Sequence, residues 1–252
     1  MIQSYLAQAS TYAGDIDFLF DMIFWIVGVW FVISSGVFFW LIFKFRVSGE
    51  GGTAEYITGE EKSQKRWITI PHLLVLVCDV FIIWGAVRVW YDIKQHLPEP
   101  EREVRVITQQ WAWTFVHPGP DGVFAPYGTP PGIKYEDRGG ERTNDDIYTV
   151  NELRVEKDAL YHYHLTSNDV MHDFSVPVFR LKQDAIPGRI ITGWFEPTME
   201  GEFDIQCAEI CGIGHGLMPA RIVVENAADH AAWMADQNPV KLAAVSLQVG
   251  EN

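Results

Sequence analysis

The sequence predicts a two-helix transmembrane hairpin followed by an all-β Greek-key barrel. Two observations predict the hairpin: residues 22–43 carry no charge, and residues 68–87 contain only His72 and Asp79 as ionisable groups. Twenty-two apolar residues make roughly 33 Å of helix, enough to cross a hydrocarbon core of about 30 Å. A third observation predicts the barrel, because the chain after Tyr91 is polar, acidic and rich in Gly and Pro.

The first apolar run is too long for a signal peptide, and no basic residue precedes it. We therefore expect one helix at 18–45 and a second at 63–94. Residues 1–17 contain no Lys or Arg, whereas the 46–66 connection and the residues just before it carry five basic residues: Lys44, Arg46, Lys62, Lys65 and Arg66. The positive-inside rule then predicts a cytoplasmic loop, with the N-terminal segment and the C-terminal domain outside. For a bacterial protein this means a multi-pass protein of the inner membrane, with its large domain on the periplasmic or outer side.

The outer part is expected to comprise a barrel domain at 95–226 and a C-terminal helix and tail at 227–252. From residue 103 the apolar residues alternate with polar ones, which is typical of a half-buried strand. Turn-forming segments separate further short runs of the same kind. We predict additional strands at 112–116, 147–155, 160–166, 173–179, 189–195, 201–206 and 220–225.

The formal charge of −14 lies mostly on this outer part, where 24 acidic residues face 12 basic ones from position 95 onward. Such a surface attracts a basic partner and effectively excludes nucleic acid.

The strongest local signal is the segment 207–218, which contains Cys207, Cys211, His215 and Met218. Three interspersed glycines make a regular helix improbable and permit a loop that turns all four side chains towards one point. Thiolate and thioether are soft ligands that favour copper, and imidazole suits copper as well.

Three other interpretations stay open from the residues alone. A structural zinc site wants four ligands and no Met, a mononuclear blue-copper site leaves the second Cys unexplained, and an exported Cys pair can form a disulfide. Two cysteines and a Met fit best if both thiolates bridge two coppers, which requires a second imidazole. His172 is the best candidate because it lies where one predicted strand gives way to the next, whereas His162 and His164 alternate on a strand.

Three motifs in order resemble cytochrome c oxidase subunit II over nearly the whole chain. The 207–218 loop is similar to the dinuclear CuA motif of that family, residues 181–189 to its Lys-x-Asp-Ala-Ile-Pro-Gly-Arg run, and residues 110–113 to its tryptophan motif. The resemblance implies a cupredoxin-like barrel. It also implies a set of copper ligands: His172, Cys207, Glu209, Cys211, His215 and Met218. In this set Glu209 contributes its backbone carbonyl, and its carboxylate reaches a magnesium ion shared with subunit I.

The function implied is the electron-accepting subunit of cytochrome c oxidase. It would take single electrons from a basic cytochrome c at CuA and pass them to the haems of subunit I for reduction of oxygen to water. Subunit I, other oxidase subunits and membrane lipid are the further partners. The copper subunit of a haem–copper nitric oxide reductase is the alternative. A copper-free quinol-oxidase subunit is disfavoured because every ligand is retained.

Tryptophans occupy positions 111 and 113, and residues two positions apart lie on the same face of a strand. Trp113 is interpreted as a core residue, whereas Trp111 resembles the surface tryptophan through which the family takes up electrons. Asp169, three residues before His172, and Gln110 are predicted to take part in docking the donor.

On the cytoplasmic side, Gln64 stands where many members of the family carry a glutamate near a proton-channel opening. We hypothesise that Glu60 or Glu61 collects protons instead, one turn away if the second helix extends that far. The competing interpretation is that both acids only balance the nearby basic residues. Asp79 in mid-helix is expected to face subunit I, since a carboxylate is costly in lipid.

Overall fold

The structure is a computed structural model that describes residues 5–46, 56–137 and 139–237. Within these ranges the chain separates into two compact units. Residues from 15 to 92 form a helical unit, and residues 5–14 join those from 93 onward in a β unit.

The helical unit consists of α1 (Ala13–Lys44) and α2 (Lys62–Trp90), and α2 is followed by one π-helical turn (Tyr91–Gln95). Both helices are long and apolar enough to cross a membrane. The first begins five residues earlier than predicted. Gly85 of α2 lies against Leu19 and Met22 of α1, and a small residue at such a point lets two membrane helices approach closely.

The β unit contains twelve strands in its described part and ends in one helix. The strands are β1 (Arg102–Gln109), β2 (Ala112–His117), β3 (Lys134–Asp137), β4 (Gly140–Thr143), β5 (Ile147–Val150), β6 (Glu152–Glu156), β7 (Tyr161–Ser167), β8 (His172–Val176), β9 (Leu181–Ala185), β10 (Ile191–Phe195), β11 (Gly201–Cys207) and β12 (Ala220–Glu225). The helix is α3 (Ala227–Asp236), capped at its start by the Asn226 side chain.

Two five-stranded sheets enclose the core, in the orders β10-β7-β1-β2-β5 and β6-β12-β11-β8-β9. The pairs β1–β7 and β6–β12 are parallel, and the other pairs of the two sheets are antiparallel. Strands distant in sequence thus become neighbours, as the predicted Greek-key connections require. The side chains between the sheets are largely aromatic, with Trp113, Phe115, Tyr163, Phe174 and Phe195 all buried.

Most strands lie where the alternation predicts them, with four differences. The strand predicted at 173–179 ends at Val176, because a 3₁₀ turn at Pro177–Phe179 follows it. The stretch predicted as one strand at 147–155 is two strands, because Asn151 adopts a left-handed φ of 58° and turns the chain. The β3–β4 hairpin is largely exposed and has no alternating pattern, so the sequence gives no signal for it. Strand β9 was also unpredicted, since only its two terminal residues are buried.

Hydrogen bonds that the sequence does not predict connect the N-terminal segment to the β unit. The main-chain N–H of Ala9 donates to the carbonyl of Val178 at 2.9 Å, and Ser10 Oγ donates to the carbonyl of Phe179 at 2.9 Å. The segment before α1 therefore belongs structurally with the barrel that follows α2.

Candidate metal centre

Two antiparallel strands bring the first candidate ligands together. Strand β8 begins at His172 and β11 ends at Cys207, which pairs in register with Phe174. His172 and Cys207 consequently meet at one end of the barrel. The loop after Cys207 turns back at Gly212, whose φ of 123° favours glycine, and a short 3₁₀ turn at His215–Leu217 returns the chain to β12.

The loop converges on the two thiols, which lie 3.9 Å apart. His172 Nδ1 lies 3.9 Å from Cys207 Sγ, and His215 Nδ1 lies 3.7 Å from Cys211 Sγ. Met218 Sδ is 3.5 Å from Cys211 Sγ, and the carbonyl oxygen of Glu209 is 3.2 Å from Cys207 Sγ. All six residues that the sequence and the resemblance suggested thus lie around the two thiols.

Cys207 and Cys211 do not form a disulfide in this structure, because the sulfur separation is far above the roughly 2.05 Å of an S–S bond. Each thiol has its own imidazole, and a thioether and a carbonyl complete the set. A single tetrahedral zinc would leave donors unused, whereas two copper ions would use every one. The residues therefore fit a copper pair.

The environment of the Cys211 thiol favours its protonated form in the metal-free chain. Burial, together with the neighbouring Cys207, raises the pKa of the Cys211 thiol to about 11. Two adjacent thiolates are thus disfavoured in the metal-free chain, and a positive ion between them removes the repulsion while it displaces the protons.

Asp169 orients the His172 ring from the side away from the thiols. His172 Nε2 lies 2.9 Å from Asp169 Oδ1, so a proton on Nε2 leaves Nδ1 bare towards Cys207. The other carboxylate oxygen accepts the main-chain N–H of Gln110 at 2.6 Å. Burial alone would raise the pKa of Asp169, but the bonds donated by His172, Gln110 and Val170 outweigh it and lower that pKa.

Gln110 also restrains the cysteine loop. Its side-chain amide donates to the carbonyl oxygen of Cys211 at 2.8 Å. Gln110 therefore connects the His172 segment, through Asp169, with the cysteine loop. The sequence gave no direct signal for these bonds, although the spacing of Asp169 and His172 placed the acid near the site.

The two tryptophans occupy different environments. Trp113 is fully buried, packs on Phe174 and donates its indole N–H to the carbonyl of Met218 at 2.8 Å. Trp111 is 40% exposed and lies in the turn before β2, so the prediction that both share one strand face is wrong. The Trp111 ring rests on the cysteine loop: a Cβ at Gly214 would lie only 2.3 Å from its Cδ2.

The family model described as the periplasmic domain of cytochrome c oxidase subunit II matches residues 103–227. The alternative cytochrome c oxidase subunit 2 of Bradyrhizobium diazoefficiens is 31% identical over 232 residues, which cover 89% of this chain and 80% of that protein. The chain belongs to the cytochrome c oxidase subunit II family. Cytochrome c oxidase subunit 2 of Cereibacter sphaeroides is 27% identical, over 90% of this chain and 77% of the relative. The solved periplasmic domain of subunit II of a Bradyrhizobium japonicum cytochrome oxidase covers 56% of this chain and 96% of its own, with 28% identity and a TM-score of 0.43.

Membership of the subunit II family confirms the predicted fold class, two apolar helices and a cupredoxin-like β domain. It also makes the chain a component of a cytochrome c oxidase complex. These relatives give no support to the nitric oxide reductase alternative. The family's Lys-x-Asp run forms β9, which pairs with β8 so that Ala185 lies opposite His172.

Asp173 is a titratable residue of this region that the sequence did not single out. It lies beside Asp184 across the β8–β9 pair. Burial, followed by the bond to Asp184, raises the pKa of Asp173 to about 7. Its buried position on the same strand as His172 became visible only with the register of β8.

The two predicted proton-collecting residues lie in the helical unit. Helix α2 begins at Lys62, one residue before the predicted start, so the helix does not extend to Glu60, and Glu61 occupies the N-cap. Both acids are exposed. Gln64 Oε1 accepts the main-chain N–H of Gly59 at 2.8 Å, which fixes the loop just before the helix.

Replacing Asp169 with Ala should lower copper affinity roughly 10- to 100-fold, because His172 then loses the partner that fixes its tautomer and orientation. Competition titration with a copper chelator measures this. Asp169→Asn keeps an oxygen that can accept from His172 and should be milder. Asp204→Ala, which removes an exposed acid from β11, should have no effect. Equal affinities for wild type and Asp169→Ala would contradict the assigned role.

Proposed function

We propose that this chain is the electron-accepting subunit of its oxidase, which receives single electrons from a cytochrome c at a dinuclear copper centre. The observation that carries the proposal is the thiol pair, 3.9 Å apart, with one imidazole beside each sulfur. Two equivalent N,S donor sets suit two equivalent metal ions. The resemblance and the family relatives point to the same centre.

In this function the chain itself holds the metal-binding atoms rigidly. His172, Cys207, Glu209 through its carbonyl, Cys211, His215 and Met218 would hold two copper ions, which supply one-electron oxidation and reduction. Burial of His172, Cys211 and Met218 keeps water away from one side. Hydrogen bonds from Trp113 to Met218 and from Gln110 to Cys211 restrain the loop, so that the donors need not rearrange when the charge changes.

Trp111 is the proposed site of electron uptake. Its indole combines an exposed face with direct packing on Gly212 and Gly214 of the ligand loop, so no other side chain separates it from the donor set. Gln110 and Asp169 border this surface and are proposed to contact the donor. Since Asp169 already bonds His172 and Gln110, its charge is partly satisfied within the chain.

Glu209 lies on the same loop with an exposed side chain. Its carbonyl faces the thiols, so its carboxylate is available to a magnesium ion shared with subunit I. The adjacent Ile210 is 78% exposed, which suits burial against a protein partner. One short peptide would then connect the copper pair to the haem-bearing subunit.

The membrane arrangement is proposed from the two apolar helices and the distribution of basic residues. A bacterial inner-membrane position puts the β unit on the periplasmic side, with lipid around α1 and α2. Exposed Asp79 of α2 would face subunit I, because a carboxylate avoids lipid. The acidic outer part, with 24 acids and 12 bases, would attract a basic cytochrome c.

The purified chain should bind two copper ions and give an EPR spectrum in which one unpaired electron is shared equally by both nuclei. The reason is the equivalence of the two N,S donor sets. Elemental analysis and EPR of copper-loaded protein measure this, with Cys207→Ser and Cys211→Ser as controls that remove a bridge. One copper per chain, or zinc in a copper-replete preparation, would refute the proposed centre.

Trp111→Gln should slow electron uptake from cytochrome c while the copper spectrum stays unchanged, because the indole touches the loop without supplying a donor atom. Stopped-flow reduction at several ionic strengths measures this. Donor binding should weaken with salt for wild type and variant alike, since charges are screened within about 10 Å at 0.1 M. Tyr148→Gln, at another exposed aromatic residue, is the matched control. An unchanged rate in Trp111→Gln would mean that electrons arrive elsewhere.

On the cytoplasmic side of the membrane, Glu60 or Glu61 is proposed to collect protons. Gln64 occupies the position where many members of the family carry a glutamate. Both carboxylates are exposed beside the start of α2, and the Gln64 amide is engaged by Gly59. The positive end of the helix dipole also favours an acid at the N-cap, so a purely structural role for Glu61 competes with this proposal.

The double change Glu60→Gln and Glu61→Gln should lower turnover of the assembled oxidase and slow haem reduction in subunit I, because neither amide can exchange protons. Electron uptake into copper should stay normal. Thermal unfolding of the same variant reports any loss of helix stability. Unchanged turnover at neutral and alkaline pH would leave only the structural role.

A further inference from the structure

Residues 6–12, which precede α1, form an extended strap that lies in a groove of the β unit. Ser10 pairs with Pro197 as in an antiparallel sheet. The strap makes three main-chain hydrogen bonds with the barrel: Ala9 N–H to the carbonyl of Val178 at 2.9 Å, Thr198 N–H to the carbonyl of Ala9 at 2.9 Å, and Thr11 N–H to the carbonyl of Glu196 at 3.2 Å. Main-chain bonds of this kind are the means by which sheet proteins bind extended peptides.

The side chains of the strap are buried as deeply as those of the barrel core. Ala9, Ser10 and Tyr12 are 0%, 5% and 4% exposed. Ser10 Oγ donates to the carbonyl of Phe179 at 2.9 Å, so its buried hydroxyl is satisfied. The Tyr12 ring packs edge-on against Trp194 with the ring centres 5.1 Å apart, and its hydroxyl donates to the Trp194 carbonyl at 3.3 Å. The groove thus fits both the backbone and the side chains of the strap.

Arg180 connects the strap with the turn that follows β8. Its backbone has a φ of 58°, a conformation that residues other than glycine adopt rarely. Its guanidinium donates to the carbonyls of Leu6 at 3.0 Å and Ala7 at 2.9 Å. The same group donates to the carbonyl of Pro177 in its own turn at 2.9 Å. One side chain therefore holds the start of the strap and the turn together.

The turn that the strap contacts closes the β8–β9 hairpin, which carries His172. Residues 177–180 connect Val176, the last residue of β8, with Leu181, the first residue of β9, and these two residues pair with each other. At the open end of the same hairpin, Ala185 lies opposite His172. The strap therefore restrains one end of a hairpin whose other end holds a proposed copper ligand.

An empty groove would leave polar groups of this turn without the donors that the strap supplies. The carbonyl of Val178 would lose the Ala9 N–H, and the carbonyl of Phe179 would lose the Ser10 hydroxyl. Val178 is 9% exposed and Phe179 is fully buried. A buried carbonyl that loses its donor destabilises the folded state. Removal of the strap should therefore loosen the closed end of the β8–β9 hairpin.

We propose that the β unit contains a peptide-binding groove for residues 6–12 of its own chain, and that the bound strap keeps the β8–β9 hairpin in the position that His172 needs as a copper ligand. The second part rests on the proposed function, whereas the groove does not. Because the strap precedes α1, it can fill the groove only when the N-terminal segment lies on the same side of the membrane as the β unit. Tight copper binding would then require that both ends of the helical hairpin have reached that side.

Arg180→Gly in the full-length chain tests the groove, because glycine suits the φ of this residue and the change removes only the guanidinium. Hydrogen exchange of the amides of residues 177–185 should accelerate several-fold, while exchange in β12 stays unchanged. A chelator should remove copper several-fold faster than from wild type. Arg180→Lys keeps a cationic donor and should give intermediate values. Arg221→Ala is the matched control, since Arg221 is an exposed arginine that lies 3.8 Å from Asp204.

A peptide added in trans tests the groove by a second route. A variant that lacks residues 1–11 should exchange faster at residues 177–185, and a synthetic peptide of residues 5–11 should restore slow exchange and tight copper binding. The same peptide with Ala9→Pro should not, because proline has no N–H to donate to Val178. If the shortened chain does not fold, the Arg180→Gly measurement decides.

The two parts of the proposal fail in different ways. Unchanged exchange in Arg180→Gly, or a folded shortened chain on which the peptide has no effect, would overturn the groove. Faster exchange with unchanged copper release would overturn the link to His172. A wild-type chain that binds no copper would refute the proposed function, and the exchange results would still decide whether the groove exists.

Discussion

The antiparallel pairing of β8 with β11 is the constraint on which the metal centre depends. It places Cys207 opposite Phe174 and therefore brings His172, two residues before Phe174, to the end of the barrel where the cysteine loop starts. A slip of one residue would turn His172 to the other face of its sheet. The buried face of β8, with Phe174 in the aromatic core, fixes this register, so core packing determines the position of a proposed ligand.

The Trp113 indole connects the aromatic core with the far end of the cysteine loop. Trp113 contacts Phe174 with its ring and donates its N–H to the carbonyl of Met218, the last residue of the proposed donor set. Gln110 bonds the carbonyl of Cys211 in the middle of the loop. The turn between β1 and β2 and the start of β2 thus restrain a loop that has few internal hydrogen bonds of its own. A glycine-rich loop can hold metal donors firmly only with such external support.

The sequence predicted what depends on local spacing and missed what depends on register. Cys207, Cys211, His215 and Met218 were recognisable because they lie within one short segment of unusual composition. Trp111 was misplaced because a turn, which alternation cannot reveal, starts just before β2. The buried cluster in which His230 lies beside Glu225 and His117 was invisible as well. Its members lie on β2, β12 and α3, and only the folded barrel brings them together.

Charge and apolar contacts contribute differently to the proposed binding of cytochrome c. The acidic excess is spread over the whole outer part, so it attracts a basic partner from a distance without fixing its orientation. The loop beside Trp111 is different: Ile213 is 99% exposed and Leu217 is 81% exposed, although neither is needed as a donor. Exposed apolar side chains of this size gain most when a partner covers them. Asp169, an acid beside the centre, already bonds His172 and Gln110. Long-range charge would therefore set the rate of encounter, and the apolar residues around Trp111 would decide where the partner comes to rest.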